Sequence, residues 1–391
     1  MSTPLIHMLV TRKLGIQGTW ASKKRILFNV LLISIVVGAL VFAQMFVVSM
    51  SNGIANKYAL LGNGHIQIHE NQETEITVGE YISDMQFVAQ AFALVYSPTK
   101  NQMVRLKGVG PTYFNEQRLG ELTLLDTELV SDGSTLPQVL ISTSLANLLC
   151  VGQGDRIALM MINNNTLRPQ LVIIKNLYDS GYKELDEQLV FCDYSLMERL
   201  FSNKADTYYE LLVDDDKIET VKSSLQSQGL LVTSWDEENY SVATNLNTSK
   251  QAVLGVMLVV AVLCGYFISE LSREMIEDDK HKIAMLKLLG AKDSLIRRVY
   301  FTTVMLVTVL SVVLGTSIGI FMGMNLGNLL SLLAKQSIPA LSFYLLDFVI
   351  VIPYMEIALI LLVLLIVGAL SILWSLRRVH KIDLLSCTHF D

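Results

Sequence analysis

Residues 281–300 read HKIAMLKLLGAKDSLIRRVY, a short basic and apolar segment lodged between two long apolar runs. The pattern predicts a short helix stopped by Gly290, then a second helix that starts near Asp293 and enters the next apolar run. Glycine accepts the positive φ found just past a helix end, and aspartate is a favourable N-cap. Ile283, Leu286, Leu289 and Gly290 fall on one face at helical spacing, with Met285 and Leu288 beside it. Lys280, Lys282, Lys287 and Lys292 surround that face. Two readings fit. The segment lies at a membrane surface and presents a ridge to a soluble partner, or it is a solvated loop whose positive charge anchors two spans.

Working outward, the 391 residues are 52% hydrophobic and only 17% charged, with a mean hydropathy of +0.46. That excludes an ordinary soluble chain. Four runs, 26–50, 252–271, 299–324 and 355–374, reach the roughly 20 helical residues that a hydrocarbon core of ~30 Å requires. Residues 51–250 have ordinary globular composition. The fold class expected is therefore a membrane protein with four transmembrane α-helices and a large mixed α/β extracytoplasmic domain between the first and second. The first run is too long for a signal peptide core and lacks a small-x-small cleavage site, so a retained anchor is expected.

Positive charge orients the chain. Lysine and arginine crowd the lead-in 1–25 (Arg12, Lys13, Lys23, Lys24, Arg25), the loop 272–298, and the tail 375–391, whereas the loop between the third and fourth runs carries only Lys335. Short basic loops stay in the cytoplasm, which puts both termini inside. Residues 51–250 hold 26 acidic and 14 basic residues, net −12; the remainder holds 10 and 16, net +6, giving the total of −6.

The lead-in interleaves Ile6, Leu9, Leu14 and Trp20 with basic residues, as an interfacial helix does. Asn29 and Gln44 are the polar interruptions of the first run, expected to hydrogen-bond between helices. That helix continues through SNGIANKYALLGNG until Gly62 and Gly64 end it. Next comes HIQIH at 65–69, alternating as a half-buried strand does. Further strands are expected at 102–109, 138–141, 156–162, 171–177, 188–192, 208–213 and 230–234, with helices at 144–149, 195–201 and 218–228. Asp214, Asp215 and Asp216 read first as a solvated turn capping a helix N-terminus, with cation binding by the three carboxylates as the lesser alternative. Cys150 and Cys192 lie in the inserted domain, where a disulfide is possible and buried free thiols are expected. Cys264 lies in a span and Cys387 in the tail. The third run carries Gly315, Gly319, Gly323 and Gly327 four apart, a stripe that lets another helix approach backbone to backbone.

No GxxxxGK[ST], HExxH, CxxC or GxSxG occurs, and the six histidines show no metal-ligand spacing. The chain is not expected to be an enzyme, to hold a metal or cofactor, or to bind nucleic acid. Energy must come from a partner.

The order of one span, a large domain and three spans, with an apolar helix ending in LGA before the third span, resembles the FtsX/MacB-type ABC transporter permeases. Within that group the chain is most similar to the LolC/LolE lipoprotein-releasing permeases. The resemblance rests on MSNGIANKYALLGNGHIQI (50–68), RLKGVGP (105–111), LISTSLANLLCVGQGDRIALM (140–160), GYKELDEQLVF (181–191), TSWDEENYSVATNLNTSKQAVLGVML (233–258) and the segment quoted first. It implies a bacterial inner-membrane protein whose segment 281–291 couples to a LolD-like ATPase dimer, which carries ATP and magnesium. A second permease, identical or a sister chain, completes the transporter. A triacylated lipoprotein enters from the outer leaflet and passes to a LolA-like periplasmic carrier. By the resemblance Met45, Val48, Val256 and Val259 touch acyl chains; from the residues alone, helix packing or lipid contact reads equally well. One departure stands out. The loop that hooks the carrier in LolC-type chains corresponds here to MINNNTLRP (161–169), which is short and polar. Two alternatives are an FtsX-like mechanotransmitter acting on an external cell-wall hydrolase and a MacB-like efflux pump, which normally has its ATPase fused.

Overall fold

The structure, a computed structural model, describes residues 20–69, 81–125, 136–161, 169–201, 205–326 and 350–377. Two units form: a helical one from the segments up to Ser49, from Thr248 and from Val349, and an inserted one from Met50–Asn247.

Among the described residues four helices are long and apolar enough to cross a membrane. The first span is Trp20–Lys57, the second Tyr240–Asp278, the third Asp293–Met324 and the fourth Tyr354–Leu376, with a linking helix at Lys280–Leu288. Even the fourth, at 23 residues, is about 35 Å long at 1.5 Å per residue. The helices bury one stripe each: Val30, Ile33, Val37, Val41 and Met45 on the first span, and Ile357, Ile360, Leu364 and Ile372 on the fourth. These are the three- and four-residue spacings of a helix face. The polar interruptions behave differently from expectation. Gln44 is buried with its Oε1 lacking a donor, and the hydrogen bond between the first and third spans comes from the Ser34 hydroxyl to the Ser311 carbonyl, 3.0 Å.

In the inserted unit the described residues form ten strands: β1 Ile66–His69, β2 Ile82–Tyr96, β3 Asn101–Val109, β4 Thr123–Leu124, β5 Gln138–Ser142, β6 Arg156–Met161, β7 Pro169–Asp179, β8 Leu189–Asp193, β9 Asp206–Val213 and β10 Leu231–Ser234. The sheet runs β10-β1-β9-β2-β3-β8-β5-β7-β4, and β6 pairs with both β2 and β7. Strands β2, β3, β8, β5, β7 and β6 therefore close a ring. The 15-residue β2 belongs to both parts: residues 82–90 pair with β9, and residues 89–96 pair with β3 and, near the end, with β6. Inside the ring lie Ala89, Ala93, Val95, Val104, Leu106, Ile157, Leu159, Val172 and Val190.

Among the described residues six short helices decorate the strands: α1 Glu116–Gly120, α2 Thr143–Leu149, α3 Lys183–Asp186, α4 Tyr194–Phe201, α5 Ile218–Ser227 and α6 Trp235–Glu238. Ser142 caps α2 by accepting from the Leu145 amide, and Asp214 precedes the 3-10 turn that leads into α5. Three local expectations change. β1 is buried on both faces rather than one: Ile66, Gln67 and Ile68 are all buried, and Gln67 bonds the Asn63 carbonyl. β2 has no counterpart in the expected strands. Cys150 is exposed while Cys192 is buried, and both are free thiols.

Candidate functional site

The linking helix is fixed at both ends. Tyr300 donates to Asp279 at 2.9 Å just before it, and Lys287 pairs with Asp293 at 3.1 Å just after it. Gly290, at φ +87°, ends it in a Schellman turn: the Ala291 amide donates to the Leu286 carbonyl and the Gly290 amide to the Lys287 carbonyl. The following helix begins at Asp293 with Lys292 in the cap position, so Asp293 is the first residue rather than the cap. The predicted apolar face divides. Ile283 and Ala284 are buried, Ile283 within the core of the helical unit. Met285, Leu286, Leu288 and Leu289 are 64%, 38%, 68% and 79% exposed, Gly290 is exposed and Ala291 half-buried. A nine-residue helix is too short to persist alone; Ile283 supplies the anchor, and the leucines with Met285 make the free surface.

The glycines of the third span meet the first span. A Cβ placed on Gly315 would lie 2.6 Å from the Ser34 carbonyl oxygen and 2.8 Å from the Val37 Cβ. On Gly319 it would lie 2.7 Å from the Gly38 carbonyl oxygen, and on Gly323 2.6 Å from the Met45 Cε. Gly327 lies outside the described residues, as do the lead-in before Trp20, the loop residues 162–168, Lys335 and the tail from 378 with Cys387. Sequence reading missed a second close approach, where Gly265 of the second span faces Val367 and Gly368 of the fourth faces Ile268. The four residues expected to touch acyl chains do not share a surface. Met45 and Val48 point inward, at 1% and 7% exposure, whereas Val256 and Val259 are 64% and 61% exposed.

Sequence reading also missed how the inserted unit grips the end of the first helix. Beyond Lys57 the chain makes a π-helical turn, Tyr58–Asn63, buried throughout; such turns cluster at functional positions. The last carbonyls of a helix lack intrahelical donors, and here side chains supply them. Lys107 Nζ donates to the Leu61 and Gly62 carbonyls at 2.9 and 2.7 Å, Arg118 Nε to Leu60 at 3.1 Å, and Gln67 to Asn63 at 2.9 Å. Two cations at a helix C-terminus also suit its dipole. Glu210 neutralises them, 2.5 Å from Lys107 and 3.8 Å from Arg118, while Arg118 also pairs with Asp84 and stacks 4.2 Å over the Tyr113 ring. Lys107, Arg118, Glu210 and Tyr113 are fully buried. Burial pulls the Lys107 ammonium down and pushes the Glu210 carboxyl up, each held back by the other's charge. The two nearby histidines part company: His65, just before β1, accepts from the Val213 amide, and His69, its last residue, bonds Thr233.

Against this geometry, residues 254–384 match the FtsX-like permease C-terminal family, which takes in the linking helix and the last three spans. The chain is similar to the FtsX/LolC-type ABC permeases. Over 206 residues it is 26% identical to the lipoprotein-releasing system transmembrane protein LolC of Xylella fastidiosa strain Temecula1, covering 50% of each chain. Over 339 residues it is 24% identical to the LolC of Haemophilus influenzae, covering 80% of this chain and 83% of that one. The chain thus spans about half the length of the Xylella relative and most of the Haemophilus one. The extracellular domain of the noncanonic ABC-type transporter YknZ from Gram-positive bacteria aligns with 40% of this chain and 82% of itself at 11% identity; its TM-score is 0.28, too low to compare folds.

Proposed function

We propose that this permease is the membrane subunit of a lipoprotein-releasing transporter in the bacterial inner membrane, with both termini cytoplasmic and the inserted unit periplasmic. ATP is hydrolysed with magnesium on a separate LolD-like dimer, which docks on the linking helix. A second permease, the same chain or a sister, completes the assembly, and a triacylated lipoprotein passes from the outer leaflet to a LolA-like carrier. The observation that carries the reading is the linking helix: four large apolar side chains exposed in five positions, between basic residues and within the matched permease segment. An exposed apolar cluster of that kind marks a protein or membrane contact, and the likeness to proteins named LolC points to the cargo. Lifting acyl chains out of a bilayer costs about 0.8 kcal/mol per CH₂, which calls for nucleotide turnover.

The test is release of a triacylated lipoprotein from proteoliposomes holding this permease and its co-purifying ATPase, with a soluble carrier as acceptor. Release that requires both ATP and the permease supports the reading. ATP hydrolysis without release transfers the assignment to a mechanotransmitter that signals to an external hydrolase.

A further inference from the structure

The chain enters the sheet of the inserted unit at one corner and leaves it at another, and the two corners are bonded to each other. Entry runs through Asn63, Gly64 and His65, between the π-helical turn and β1. Gly64 sits at φ +74°, and a Cβ there would lie 3.0 Å from the Glu210 Cβ and 3.2 Å from the Ile66 carbonyl oxygen, so this corner is seated closely on the sheet. Exit runs through α6 to Asn239, whose φ of −104° and ψ of 44° separate α6 from the long helix Tyr240–Asp278. A residue at the end of an element, with non-helical dihedrals, is where a hinge absorbs its change of angle. The Trp235 amide donates to the His65 carbonyl at 3.2 Å, and Asn239 Nδ2 donates to Asn63 Oδ1 at 3.3 Å.

The Asn63 side of that second bond is held in turn by β3. Asn63 is 1% exposed, and its Oδ1 also accepts from Arg105 Nη1 at 3.2 Å. Both lone pairs of the oxygen are then used. Among the described residues this is the only hydrogen bond of the Arg105 side chain, no ion pair accompanies it, and Arg105 Nε is buried without an acceptor. Leaving a buried donor unmet is costly, so the guanidinium is not placed for its own satisfaction. Its placement serves the Asn63 carboxamide.

We infer that Asn63 is a positioning residue: its side-chain oxygen, aimed by Arg105, latches the hinge at Asn239, so that the long helix leaves the inserted unit in a direction set by the end of the first helix. Asn239 suits the role, because the same Nδ2 also donates to the Trp235 carbonyl at 3.0 Å and joins α6 to the latch. With the latch open, the Trp235–His65 bond and the capping box of Ser234 and Glu237 still hold α6 in place. Beyond Asn239, Val242 and Leu246 pack half-buried against the cluster that holds Ile54 and Tyr58. That contact is apolar and non-directional, so it permits a pivot that the latch forbids. The inference goes beyond the transport reading and does not depend on it.

The experiment uses the full chain in lipid nanodiscs, with its native cysteines replaced by alanine and spin labels attached through Asn101→Cys on β3 and Asn245→Cys on the long helix, both exposed positions. The distance distribution between the labels, read by pulsed electron resonance, should be narrow in the parent. It should become broad in Asn63→Leu, which removes the acceptor, and in Arg105→Met, which removes its holder. Asn63→Asp keeps an oxygen for both donors and should retain the narrow distribution. Amide exchange over β3 and β8 should stay at the parent rate throughout, which separates a freed hinge from an unfolded sheet. A distribution that stays narrow in Asn63→Leu overturns the inference, and so does a broad one that Asn63→Asp shares. Where Asn63→Leu does not fold, Asn239→Ala opens the latch from the other side, and a narrow distribution there overturns the inference equally.

Discussion

One continuous helix, Trp20–Lys57, meets two kinds of grip. In the helical unit, Ser34, Gly38 and Val41 lie against Gly319 and Gly315 with no room for a methyl group. In the inserted unit, the turn that follows Lys57 is held by Lys107, Arg118 and Glu210, all buried. The difference follows from the surroundings. Lipid tails are as apolar as leucine, so helices gain by close fit rather than by hiding apolar surface, and small residues permit the fit. A helix end inside a sheet domain instead presents carbonyls that must find donors, and charged donors make the strongest bonds. The first grip is made of shape and the second of charge.

Substitutions can break or sharpen that contrast. The largest effect is expected from Glu210→Leu, which leaves two buried cations without their shared carboxylate; a loss of about 3–5 kcal/mol is expected in guanidinium unfolding followed by Trp235 fluorescence. Adding Lys107→Met should recover part of it, because removing both partners of a buried pair is far milder than removing one. If the double variant is as unstable as the single one, charge is not what holds the turn. Next comes Gly319→Leu, for which overpacking against Gly38 and Val41 should cost about 1–3 kcal/mol, read as a lower melting temperature in nanodiscs. An unchanged melting temperature would show the seam to be slack. Ser34→Ala removes the one buried bond described between these two spans and should cost about 0.6 kcal/mol. The smallest change in stability, within about 0.5 kcal/mol, is expected for Leu286→Asp with Leu289→Asp, since both side chains are exposed. The same pair should abolish co-purification of the ATPase, and retained association would remove the linking helix from that role.

The parts legible in the sequence were those written in local periodicity. The apolar runs gave the spans, Gly290 gave the end of the linking helix, and the alternating stretches gave most strands of the inserted unit. β2 escaped because ISDMQFVAQAFALVY is rich in alanine and glutamine, which favour helix over strand. Its alanines are small because they face the interior of the closed ring, a demand that only the partners of β2 create. The buried charges were hidden for a related reason. Lys107 alternates with Leu106 and Glu210 with Leu211 as polar residues do on a solvated strand face, and nothing in either strand reveals that the helix end covers that face.

The sequence by itself determined that the chain carries four segments long and apolar enough to cross a membrane, a large mixed domain after the first and a glycine stripe in the third. Hydropathy and glycine spacing are properties of single segments, set by lipid and by backbone sterics. Only the tertiary structure decided which helix meets the stripe, that Ile283 turns inward while Met285, Leu286, Leu288 and Leu289 stay free, that Met45 and Val48 are interior, and that Lys107, Arg118 and Glu210 converge. Those outcomes depend on pairing between residues far apart in the chain, where burial is a property of the partner as much as of the residue.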